Sequence, residues 1–143
     1  MRLTPSRVAA GCAWLLSLPP LAVAPVAATA DTYTVHISCT VPKGQGWRQL
    51  SPKSCQNVIT DHGQTFTAKV RNSRGHPVAG VRVTFTDNDA VDAHFRTRNQ
   101  VCMTDSTGKC SDELVDSAPK HGEVIKATAS IGGSSDTGSL VFQ

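Results

Sequence analysis

From Gln64 to Asn72 apolar and polar side chains alternate: Phe66, Ala68 and Val70 fall on one face, Thr65, Thr67, Lys69 and Arg71 on the other. A period of two is that of a β-strand with one buried face. Thr32 to Ser38 repeats it with Tyr33, Val35 and Ile37, and Val81, Val83 and Phe85 repeat it against Arg82, Thr84 and Thr86. Ala93, Phe95 and Thr97 against His94, Arg96 and Arg98 make a weaker row. Ile125, Ala127, Ala129 and Ile131 make a clear one, and Leu140 with Phe142 closes the series. Turn chemistry separates these rows at Asp61-His62-Gly63, Ser73-Arg74-Gly75, Asp105 to Gly108, His121-Gly122 and Gly132-Gly133. About seven short strands at this spacing, with no helical period between them, predict an all-β chain folded as an antiparallel sandwich.

The first thirty residues do not belong to that pattern. Arg2 and Arg7 precede an apolar run from Val8 to Ala27, and Ala28-Thr29-Ala30 offers small residues ahead of a cut at Asp31. This is the form of a secretory signal peptide. Pro19, Pro20 and Pro25 interrupt the run and break helix ladders, and no charged stop-transfer flank follows it, so no membrane insertion is expected after cleavage. Residues 31–143 then form one folded domain. Residues 31–60 carry an N-terminal strand and a basic loop, and residues 61–143 form the sandwich core.

Removing the leader changes the charge balance. The chain has 14 Lys and Arg against 11 Asp and Glu; without Arg2 and Arg7 the count is 12 against 11, a net of +1. General attraction to nucleic acid loses its support, and no nucleic-acid partner is expected. Cys12 leaves with the leader, and Cys39, Cys55, Cys102 and Cys110 remain, an even number suited to an oxidising compartment. Three pairings are open to four cysteines. Proximity favours Cys39 with Cys55 and Cys102 with Cys110, and no C-x-x-C or paired-histidine spacing supports a zinc site.

Two motifs add a family. The run D-H-G-Q-T-F-T-A-K-V-R-N-S-R-G-H-P-V-A-G-V-R-V-T-F-T, Asp61 to Thr86, resembles the first half of the bacterial immunoglobulin-like group 1 domain of invasin and intimin adhesins. T-D-S-T-G-K-C, Thr104 to Cys110, is similar to that family's second signature turn, and a Gly122 to Ile131 strand follows it. The resemblance implies an immunoglobulin-like sandwich and a role in extracellular adhesion. Gly75 is placed to take a positive φ, Pro77 to direct the chain back into a strand, Asp105 to bond its own backbone two residues on, and Gly108 to supply a left-handed turn. In such adhesins these domains are mostly spacers in tandem arrays. A single repeat without an anchor is expected to act as a diffusible module or as part of an assembly.

The family pattern does not account for Cys39 to Ile59. No acidic residue occurs from Thr32 to Thr60, while Lys43, Arg48 and Lys53 are basic and Trp47 sits among them. A loop stapled by Cys39 and Cys55 loses little entropy on docking and carries residue types enriched in binding hot spots. Trp47, Arg48, Lys43 and Lys53 are therefore the candidate partner-binding residues, with a core-covering role for Trp47 as the competing reading. Asp87, Asp89 and Asp92 could offer oxygen ligands to calcium, though without the glycine and terminal glutamate of a dedicated loop. His36, His62, His76, His94 and His121 are scattered over turns and outward positions, and no nucleophile elbow is present. Neither catalysis nor a cofactor is expected. The leading reading is a secreted, non-catalytic module that binds a surface protein or glycan. The alternative is a small secreted inhibitor or effector acting on a protease or competitor protein, with Met103 offered to a protease pocket.

Overall fold

The computed structural model describes residues 31–44, 46–89, 91–97 and 100–143. The predicted leader lies outside them, as does Arg98. Ten strands are present: β1 (Tyr33–Cys39), β2 (Arg48–Ser51), β3 (Ser54–Asn57), β4 (Gly63–Asn72), β5 (Arg82–Asp87), β6 (Ala93–Phe95), β7 (Val101–Met103), β8 (Lys109–Asp116), β9 (Val124–Ile131) and β10 (Ser134–Phe142). They form a four-stranded sheet in the order β1-β4-β8-β6 and a six-stranded sheet in the order β2-β3-β10-β9-β5-β7. All pairings are antiparallel except that of β3 with β10.

The alternating rows become the two inner faces. Phe66, Val70, Val83, Phe85, Ile125, Leu140 and Phe142 are buried between the sheets, and the Phe85 and Phe95 rings lie with centroids 5.0 Å apart. The small sheet follows the A-B-E-D order of an immunoglobulin-like sandwich, and β5, β9 and β10 supply its C-F-G counterpart. The chain is thus an all-β immunoglobulin-like sandwich. Two departures stand out. The β2–β3 hairpin lies between the first two long strands, and β7, on the edge beside β5, comes after β6 in the chain rather than before it.

The ten strands exceed the seven expected, and the extra ones have identifiable causes. In β8 the inward row is Cys110, Asp112, Leu114 and Asp116; two acidic residues in it hide the apolar period. Asp112 is used inside, where its carboxylate accepts the Thr97 N–H at 3.1 Å. The row from Ala93 shortens to three residues: the Arg96 N–H still donates to the Glu113 carbonyl, but the Thr97 N–H turns to the Asp112 carboxylate. β7 and the β2–β3 hairpin are too short to show a period.

Both disulfides join one sheet to the other. Cys39 ends β1 and is bonded to Cys55 of β3 (S–S 2.08 Å); Cys102 of β7 is bonded to Cys110 of β8 (2.00 Å). β1 is an edge of the small sheet and β7 an edge of the large one, so the staples sit towards opposite flanks of the sandwich. These are the local pairings that proximity favours. Residues 31–60 are accordingly part of the sandwich, since β1 belongs to one sheet and β3 to the other.

The free edge of β1 is covered by side chains rather than left open, which removes a template for pairing with other chains. The Val35 N–H donates to Ser134 Oγ (3.2 Å), Ile37 N–H to Asp136 Oδ2 (3.0 Å) and Cys39 N–H to the Pro52 carbonyl (3.1 Å). The signature turns are formed as their residues suggest. Gly75 and Gly108 have φ of 79° and 74°, and Asp105 Oδ1 accepts the Thr107 N–H at 2.8 Å.

Candidate functional site

Between Cys39 and Cys55 the described residues from Arg48 onward are held by strand pairing and by Gln49. After the Thr40–Trp47 stretch, β2 and β3 form a hairpin that turns at Pro52 and Lys53. Gln49 braces the staple: its Nε2 donates to the Cys39 carbonyl at 3.1 Å, lies 3.3 Å from Cys55 Sγ, and also donates to the Ser51 carbonyl. With both ends fixed and the middle paired, the loop retains little freedom to lose on docking.

Trp47 is half-buried. It borders a recess of about 230 Å³ whose other walls include Thr40, Asp61, Gln64 and Glu113. Gly63 makes room for the Glu113 carboxylate, since a Cβ there would lie 2.2 Å from Glu113 Oε1. The Arg96 Nε in turn stands 2.6 Å from Glu113 Oε2 and balances part of its charge. The recess that Trp47 borders is thus also lined by two carboxylates, Asp61 and Glu113.

Those basic residues are divided. Lys43 and Arg48 are exposed. Lys53 is committed elsewhere: its Nζ lies 2.6 Å from Asp136 Oδ1, across 83 residues of sequence. Asp136 is the hub of this corner, also accepting the Ile37 N–H at 3.0 Å and facing His36 Nδ1 at 3.8 Å. Burial alone would raise its pKa, but the Lys53 hydrogen bond, the Ile37 N–H and the Lys53 charge outweigh that and hold the carboxyl below the usual range. A carboxyl depressed on folding stabilises the native state above its unfolded value, about 3.9, and loses that contribution as pH falls through the folded value. Urea unfolding midpoints are therefore expected to drop for the wild type below about pH 4, with a shallower drop for Asp136→Asn. Equal pH slopes for the two proteins would contradict this role.

Of the three aspartates proposed for calcium, Asp87 and Asp89 face their own backbone and Asp92 faces a lysine. Asp87 Oδ1 accepts the Asp89 N–H at 3.2 Å, and Asp89 Oδ1 accepts the N–H groups of Val91 (3.1 Å) and Asp92 (3.3 Å). Those two bonds lower the Asp89 carboxyl, whereas burial raises that of Asp87. Asp92 Oδ2 lies 3.7 Å from Lys120 Nζ. Among the described residues no three His, Cys, Asp or Glu side chains converge as a metal site. All five histidines are exposed. Met103 is 55% exposed at the end of β7.

Asp136, Asp112 and Asp116 are the residues that sequence reasoning passed over. Asp136 sits in what reads as a Gly-Gly-Ser-Ser-Asp turn, yet the turn ends at Gly133 and β10 starts at Ser134. The alternation of Asp136, Gly138, Leu140 and Phe142 was the available signal. No family model matches the chain, and no curated protein or solved structure is similar to it.

Proposed function

We propose that the mature chain is an exported, non-catalytic binding module of the immunoglobulin-like adhesin type, which recognises a surface protein or glycan through the stapled segment from Thr40 to Ser54. The observation that carries this reading is the bracing of that segment. The Cys39–Cys55 bond, Gln49 and the β2–β3 hairpin hold it, while Lys43 and Arg48 stay exposed beside a half-buried Trp47. A large aromatic ring and an arginine on a rigid support are the usual makings of an interface anchor. The leader-like residues 1–30 and the resemblance of Asp61 to Thr86 and of Thr104 to Cys110 to adhesin domains support the extracellular assignment.

Labelled residues 31–143, applied to intact cells and to immobilised extracellular material, are expected to bind saturably. Trp47→Ala with Arg48→Ala is expected to weaken binding by roughly tenfold or more while circular dichroism stays unchanged. Unchanged binding by the double variant would refute the loop assignment. The inhibitor reading retains one specific support, the exposure of Met103 beside the Cys102–Cys110 staple. It predicts inhibition of a serine protease at micromolar protein and fails if none is seen.

A further inference from the structure

The recess beside Trp47 is chemically one-sided. Its walls hold two carboxylates, an indole and a primary amide and, among the described residues, no lysine, arginine or histidine. Lys43, Arg48 and Arg96 stay outside it.

Acceptor capacity is left on each of its three polar walls. Gln64 is 3% exposed, and its Nε2 donates to the Thr40 and Thr65 carbonyls at 3.2 and 3.0 Å. Its Oε1 is buried and has no partner among the described residues. A buried acceptor left without a donor costs free energy that an incoming N–H restores. Asp61 spends one oxygen on a long contact with the Gly63 N–H, 3.4 Å. Glu113 turns Oε2 to Arg96 and lays Oε1 over Gly63, where the missing Cβ leaves room. Arg96 does not close the site. Its side chain is 65% exposed and that of Glu113 36%, and ion pairs so open to water are weak and exchangeable.

The size of the recess narrows the ligand. At about 230 Å³ it is smaller than the clefts of about 300–1,000 Å³ that take whole small molecules, and it suits one long side chain. We infer that it takes an arginine side chain of a protein partner, whose guanidinium donates to Glu113 and Asp61 beside Trp47 and supplies the donor that Gln64 Oε1 lacks. A guanidinium has five donors and no acceptor, keeps its charge and stacks on aromatic faces. A lysine ammonium, a single point of charge, cannot serve separate walls as well. The inference rests on the reading of the Trp47 segment as the interface, and it narrows the partner to a protein.

The test is a titration of isotope-labelled residues 31–143 with N-acetyl-arginine N-methylamide, followed by nuclear magnetic resonance. Saturable shifts at millimolar concentration are expected at the Trp47 indole N–H, the Gln64 side-chain amide and the Thr65 amide. The citrulline counterpart, of the same shape without the charge, should bind roughly tenfold more weakly, as should the arginine compound to Glu113→Gln. Asp61→Asn should weaken it in the same direction, and matched unfolding midpoints verify that both variants are folded. The inference is overturned if the recess shows no saturable shift, if the citrulline or lysine counterpart binds as tightly, or if both variants bind as the wild type does. Cell binding that depends on Trp47 and Arg48, with no arginine binding, refutes this inference alone. Arginine binding with cell binding unchanged in that double variant upholds the recess and refutes the interface reading.

Discussion

Replacing Cys39, Cys55, Cys102 and Cys110 by serine is expected to leave residues 31–143 largely unfolded at 37 °C. The Cys39–Cys55 bond closes 16 residues and the Cys102–Cys110 bond closes 8. By the loop-entropy relation they contribute about 3 and about 2.5 kcal/mol. Their sum is comparable to the whole stability of an ordinary domain, about 5–15 kcal/mol. The location adds to the effect, because each bond ties a strand of one sheet to a strand of the other. β2 and β3 reach the rest of the molecule mainly through the parallel β3–β10 pairing and the Cys39 bond. Guanidinium unfolding of the single-bond and double-bond variants measures the two contributions. Losses near zero for Cys39→Ser with Cys55→Ser would mean that the hairpin is held by its other contacts alone.

The second large effect is expected at Gly138, which has an ordinary backbone conformation and no role in a turn. It occupies an inward position of β10 between Asp136 and Leu140. A Cβ there would lie 2.5 Å from the Lys53 carbonyl oxygen, 3.1 Å from Phe66 Cε1 and 3.5 Å from Ile37 Cγ2. The carbonyl cannot retreat freely, because it accepts the Ser139 N–H at 2.8 Å, and Lys53 itself is drawn to Asp136. Gly138→Ala should therefore push apart the corner where β1, β3 and β10 meet and destabilise by about 3 kcal/mol, the upper part of the range for overpacking. Gly133→Ala is the contrast: nothing lies within 4 Å of a Cβ there, and its φ is not positive, so its effect should fall within about 0.5 kcal/mol. Similar losses for the two variants would refute the close approach.

How much was legible follows from where the chemistry sits. β1, β4, β5 and β9 were readable because their inward rows are mostly apolar and their outward rows mostly polar. The turns at Gly75 and at Asp105 to Gly108 were readable because their geometry depends on neighbouring residues. β8 was obscured by the buried Asp112 and Asp116; Asp112 is used by the Thr97 N–H, fifteen residues away in sequence. Lys53 looked like a free member of a basic loop, and only the approach of β3 to β10 brings it to Asp136. Asp87, Asp89 and Asp92 look like a ligand set in sequence, but one oxygen each of Asp87 and Asp89 accepts local N–H groups and Asp92 faces Lys120.

Mass spectrometry of the protein recovered from the extracellular fraction, without reduction, tests the proposed exported and doubly stapled sandwich most directly. The predicted result is a chain beginning at Asp31, with no free thiol and with peptides linked through Cys39–Cys55 and Cys102–Cys110. A chain found only inside the cell, an intact leader, free cysteines or a crossed pairing such as Cys39 with Cys110 would contradict it.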